Sequence, residues 1–170
     1  TNHVANKGYP VIFSNVNNTY LDMAYSRHQD EGGLTWGGVV DEYISWELQP
    51  FNPYYSARFD TNGKPIDLNT VDNGKPSLLK PENIKGVQGQ LFAETIRNFD
   101  MVQLYVFPKI FGLAERGWNA HPAWGGNIND NPLFNSEKVA YNLKIGSRLL
   151  PAMHKKGQNF HIGQPGAIVK

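Results

Sequence analysis

Apolar positions along this 170-residue chain gather into a few patterned runs separated by long polar stretches. Residues 9–15, "YPVIFSN", set β-branched and aromatic side chains next to one another after Gly8. An unbroken apolar run of this length between turn residues predicts a strand buried on both faces, as in a parallel sheet. Residues 39–49, "VVDEYISWELQ", place Val40, Tyr43, Ile44 and Leu48 at helical spacing, and Pro50 ends the pattern. Residues 84–92, "IKGVQGQLF", predict a second strand, whose glycines imply close backbone approach or a tight barrel wall. Asp100 then predicts the cap of one helical piece, and Pro108 the first residue of another, with Ile110, Phe111, Leu113 and Ala114 on its apolar face. Ser136 predicts the cap of a last helix, with Val139, Leu143, Leu150 and Met153 along one stripe.

The stretches between these runs, 16–38, 50–81 and 119–135, read as loop, the second broken by Pro53, Pro65 and Pro76. The order strand, loop, helix, long loop, strand, helix, helix is a βαβα pattern with parallel strands, an α/β fold. Buried parallel strands need neighbours on both sides. Either the chain is part of a larger α/β barrel, or further strands hide in the loops. Thr1 is not a natural start, and the chain is expected to be a piece of something longer. The polar opening "TNHVANKGYP" shows no signal-peptide pattern.

Composition narrows the chemistry. A formal net charge of +1 leaves no electrostatic footprint for nucleic acid or an anionic membrane surface. No apolar run approaches the ~20 residues of a membrane span. The absence of Cys excludes disulfides, thiolate catalysis and Cys-zinc sites. The five His show no metal-ligand spacing, and no phosphate loop or G-x-S-x-G elbow occurs, so neither metal nor cofactor is expected. Aromatic residues at 12% with only 18% charged suit carbohydrate, because sugar C–H faces stack on rings while hydroxyls seek neutral and acidic acceptors. Composition by itself fits an aromatic-rich core better.

Position adds more. In a β/α barrel, functional groups come from the C-terminal ends of the strands. Tyr20 and Asp22 follow the first strand, and Phe92 and Glu94 close the second. Both aromatic-x-acid pairs are therefore expected on one face. The competing readings are structural: Tyr20 as a loop ring, Asp22 as a turn former, Trp36 as a helix-entry staple, Glu94 in the first turn of a helix. Glu115 and Arg116 read as a structural ion pair, and Trp118 and Trp124 as packing. Asn17 opens a glycosylation sequon, but a glycan there would block the neighbouring site.

Four segments, "TYLDMAY", "LTWGG", "GVQGQLFAE" and "FPKIFGLAERGW", occur in an order that resembles the C-terminal quarter of family 20 glycoside hydrolases, the β-N-acetylhexosaminidases and chitobiases. The resemblance covers roughly residues 8–118 and implies about the last two βα units of a (β/α)8 TIM barrel over residues 1–162, with 163–170 as an exit linker towards a following domain. It implies retaining hydrolysis of terminal N-acetylhexosamine, in which the substrate's own acetamido oxygen attacks the anomeric carbon. The family's H-x-G-G-D-E acid pair does not occur in these residues. By the resemblance, Tyr20 donates to the acetamido oxygen, Asp22 and Glu94 accept from sugar hydroxyls, and Trp36 stacks on the sugar beyond the scissile bond. Phe92 stands where the family usually carries Trp, keeping an apolar wall with less area. The implied partners are a chito-oligosaccharide or N-acetylhexosaminide and the remainder of the barrel, in a periplasmic, outer-membrane-associated or secreted setting. The alternative function is a non-catalytic carbohydrate-binding α/β module.

Overall fold

The computed structural model describes residues 1–28 and 30–162; the expected exit linker, 163–170, lies outside the described residues. Two strands, β1 (Val11–Phe13) and β2 (Ile84–Val87), pair in parallel with Ile12 opposite Gly86 and Phe13 opposite Val87. Both are shorter than the apolar runs suggest, yet the pairing continues past them. Gln88 N–H donates to Phe13 O, Gln90 N–H to Thr19 O, and Leu21 N–H to Gln90 O. Tyr20 thereby bridges Gln90.

The helices are α1 (Asn2–Asn6), α2 (Val16–Thr19), α3 (Glu42–Trp46), α4 (Phe99–Val106), α5 (Lys109–Trp118), α6 (Leu133–Lys144) and α7 (Leu150–Lys155), with a π-helical turn at Ile145–Leu149 joining the last two. Several termini differ from the sequence expectation. Asp41 caps α3, its carboxylate accepting from Ile44 N–H at 2.7 Å, so the helix starts later than residue 39. Asn98, not Asp100, caps α4 by accepting from Met101 N–H. The last helix starts at Leu133 behind Pro132, where Asn131 accepts from Leu133 N–H, and Ser136 lies inside it. Pro108 stands just before α5, as its N-cap.

The larger core lies away from the strands. Trp46, Trp124, Phe134, Tyr141, Ile145, Leu150 and Met153 cluster between α3, α6, α7 and the loop before α6. A smaller core of Phe13, Leu48 and Leu113, with Val87 and Ile110, seals one face of the strand pair onto α5 and the chain after α3. The other face is bare: Ile12 is 61% exposed, which corrects the expectation of burial on both faces. Among the described residues no element covers the face opposite α5, and a two-stranded sheet cannot bury that face by itself. Trp124 packs as expected, whereas Trp118 is 93% exposed at the end of α5. Glu115 bonds both Trp46 Nε1 and Arg116 and pairs with Lys144, the structural role expected of it.

Two glycines govern the packing that carries the site. Gly89, in the extended run after β2, passes so close to Leu113 that an added Cβ would sit 2.8 Å from it, as the glycine-rich strand suggested. Gly112 lets α5 meet α3, since an added Cβ would lie 2.6 Å from Trp46 N. Backbone cannot yield as a side-chain tip does. Gly112→Ala is therefore expected to destabilise the protein by about 1–3 kcal/mol, read as a lower denaturation midpoint; an unchanged midpoint would mean that α5 is free to shift.

Candidate active site

The residues after the paired strands converge. Tyr20 and Phe92 lie side by side with ring centroids 5.4 Å apart, and Trp36 meets Tyr20 at 6.1 Å and 78°. The two latter rings form adjoining walls, not a stack. Trp36 is 62% exposed and ahead of Asp41, the cap of α3, so it does not staple that helix. Glu94 is exposed on the turn after β2 and five residues ahead of α4, which removes the reading that places it in a helical first turn. Asp22 is only 1% exposed, and neither carboxylate oxygen has a hydrogen-bond partner among the described residues. Burial pushes its carboxyl above the ordinary value; its own and the Phe92 backbone N–H groups pull it back, Glu94 pushes it further up, and Lys109 opposes. Asp22, Phe92 and Glu94 thus share one neighbourhood, and all five sequence-predicted residues lie at the C-terminal ends of the strands.

The backbone around Asp22 is held on every side. Leu34 N–H donates to Asp22 O, and Ala24 N–H returns to Leu34 O. Gly33 makes this approach possible: its φ of +111° is open to glycine, and an added Cβ would lie 2.9 Å from Asp22 O. The Lys109 ammonium, fully buried, donates to Leu21 O at 2.9 Å and Met23 O at 2.6 Å, and sits 3.8 Å from the Tyr25 ring centroid. Burial lowers its pKa to about 7, against the pull of Asp41, Asp22, Glu31 and Glu42. Sequence reasoning passed over Lys109. The available signal was a cation at the start of a helix, where the dipole disfavours it.

The Asn17 sequon is folded into this framework. The Thr19 hydroxyl is buried and bonded within the 14–19 turn, and the Asn17 amide lies 3.4 Å from Phe59 O.

Beyond Tyr25 lies a cavity of about 490 Å³ lined by Glu31, Asp41, Glu42, Tyr43 and His161. Burial, reinforced by Asp41, pushes the Glu42 carboxyl up to about 7. Folding then favours its protonated form, so its contribution to stability falls as pH rises from about 4.5, the unfolded value, to about 7. Glu42→Gln removes that loss. The melting temperature of the variant relative to the parent is expected to be higher at pH 8 than at pH 4.5; an offset independent of pH would contradict the assignment.

Residues 1–121 match the sequence profile of glycosyl hydrolase family 20, catalytic domain. The N,N'-diacetylchitobiase of Vibrio harveyi is 27% identical over 180 residues, covering 96% of this chain and 19% of that protein. Beta-hexosaminidase B of Pseudoalteromonas piscicida is 31% identical over 123 residues, 71% of this chain and 15% of that protein. The solved GH20 beta-N-acetylhexosaminidase from Streptomyces coelicolor A3(2) superposes with a TM-score of 0.64 at 24% identity, covering 99% of this chain and 26% of that one. The chain accordingly folds like part of a TIM-barrel catalytic domain. The chain belongs to glycosyl hydrolase family 20, and it spans less than a fifth of the length of either of these two relatives.

Proposed function

We propose that these residues are part of a retaining exo-β-N-acetylhexosaminidase of the chitobiase type, which removes terminal N-acetylhexosamine from chito-oligosaccharides by substrate-assisted catalysis. Residues 1–162 supply about the last two βα units of its barrel. The observation that carries this reading is the buried Asp22 carboxylate, without a hydrogen-bond partner among the described residues, beside an aromatic corner of Tyr20, Trp36 and Phe92 at the strand ends. A buried acid without a partner is costly unless something accepts that role, and sugar hydroxyls do.

Tyr20 is the catalytic donor. Its hydroxyl bonds the acetamido oxygen, holding that nucleophile in line with the anomeric carbon. Asp22 and Glu94 accept from hydroxyls of the terminal sugar, Phe92 walls the acetamido methyl, and Trp36 stacks on the sugar beyond the scissile bond. The acid that protonates the leaving oxygen and the acid that orients the acetamido N–H come from elsewhere in the barrel.

The acetamido group tests this directly. The full-length protein is expected to hydrolyse nitrophenyl N-acetyl-β-glucosaminide at least about 10³-fold faster than nitrophenyl β-glucoside, since the second substrate lacks its own nucleophile. Comparable rates would contradict substrate assistance, and sugar binding with no turnover of either would favour a binding module.

A further inference from the structure

We infer that Lys109 is a positioning residue for Asp22: its ammonium ties down the carbonyls on either side of Asp22 and thereby aims the carboxylate into the sugar pocket. The inference rests on the reading of Asp22 as a sugar acceptor. The geometry is specific. Leu21 O and Met23 O both accept from the one Nζ, while Asp22 O between them accepts from Leu34 N–H. Three successive carbonyls are thus fixed, two of them by a side chain that reaches across from the start of α5. With both flanking peptide planes set, the Asp22 Cα–Cβ direction has little freedom left.

Chemistry argues against mere filling. A buried ammonium is expensive, and an apolar side chain of the same length would serve a core better unless the cation's hydrogen bonds are needed. Here two N–H groups meet carbonyls and the charge lies against the Tyr25 ring, a face that attracts cations. The same positive charge favours the ionised Asp22, the form that accepts from a hydroxyl. Lys109 thereby links the start of α5 to the chain at the strand end that carries Asp22.

A double-mutant cycle in the full-length protein, read as kcat/KM on nitrophenyl N-acetyl-β-glucosaminide, tests the inference. Lys109→Met is expected to lower kcat/KM by about 10²-fold, the scale of an ångström's misplacement of a binding group. In an Asp22→Asn background the same change should cost less than about threefold, because a residue acting through Asp22 has nothing left to position. A Lys109→Met loss of equal size in both backgrounds overturns the inference while leaving Asp22 in its role. Full activity of Asp22→Asn alone overturns the reading of Asp22, and the inference with it. If Lys109→Met does not fold, Lys109→Arg takes its place. Its bulkier guanidinium should displace the two carbonyls and lower kcat/KM by about tenfold, a loss that vanishes in the Asp22→Asn background. A loss that persists there, or none in either background, overturns the inference.

Discussion

Tyr20→Phe in the full-length protein is expected to lower kcat about 10²-fold while leaving KM nearly unchanged. The substitution removes only the hydroxyl. The ring keeps its contacts with Phe92 and Trp36, so the aromatic corner that receives the sugar survives. What is lost is a donor to an oxygen that becomes the nucleophile. Holding that oxygen in line with the anomeric carbon serves the ring-closing step, whereas the other contacts set the affinity for the sugar, so the loss appears in kcat rather than in KM. Letting a nucleophile drift by about an ångström costs about 10²-fold in rate. An unchanged kcat would take Tyr20 out of the mechanism, and an effect confined to KM would make it a binding residue.

The second large effect concerns these 170 residues expressed alone. They are expected to give no detectable turnover of nitrophenyl N-acetyl-β-glucosaminide. General-acid protonation of the leaving oxygen contributes roughly 10²–10⁴ in rate, and the acid pair that would supply it and orient the acetamido group is not in this sequence. The isolated chain is also expected to bind hydrophobic dyes and to self-associate. Ile12 lies open on the bare face of a two-stranded sheet, Trp118 is almost wholly exposed, and both outer strand edges are unpaired among the described residues. A monodisperse, cooperatively melting monomer would show that the chain completes its own core. Measurable turnover would place the acid within these residues.

Much of this was legible in the sequence, for identifiable reasons. The continuous apolar run in "YPVIFSN" marked the first strand, because a strand buried in a parallel sheet carries no polar alternation, and the glycines of "IKGVQGQLF" marked the second as one that packs closely. The two-residue spacing in Tyr20–Asp22 and Phe92–Glu94 put aromatic and acid at matching places after those strands, and the structure brings the two pairs together. The caps were misplaced where neighbouring residues compete: Asn98 and Asp100 are both good caps, and only the path of the chain selects Asn98. Most of the main core was hidden: apart from Trp124, expected to pack, its anchors Ile128 and Phe134 come from a stretch that reads as loop, where such side chains follow no period. Lys109 was missed for a related reason. A lysine reads as solvated surface until folding places it beneath two carbonyls more than eighty residues earlier in the chain.

The central claim is that the ends of β1 and β2 form the N-acetylhexosamine pocket. A crystal structure of the full-length protein bound to N-acetylglucosamine tests it most directly. The account predicts the Tyr20 hydroxyl at hydrogen-bond distance, about 2.7 Å, from the acetamido oxygen, the methyl against Phe92, and ring hydroxyls donating to Asp22 and Glu94. A sugar seated elsewhere in the barrel, with Tyr20, Asp22 and Glu94 all out of reach, would contradict it.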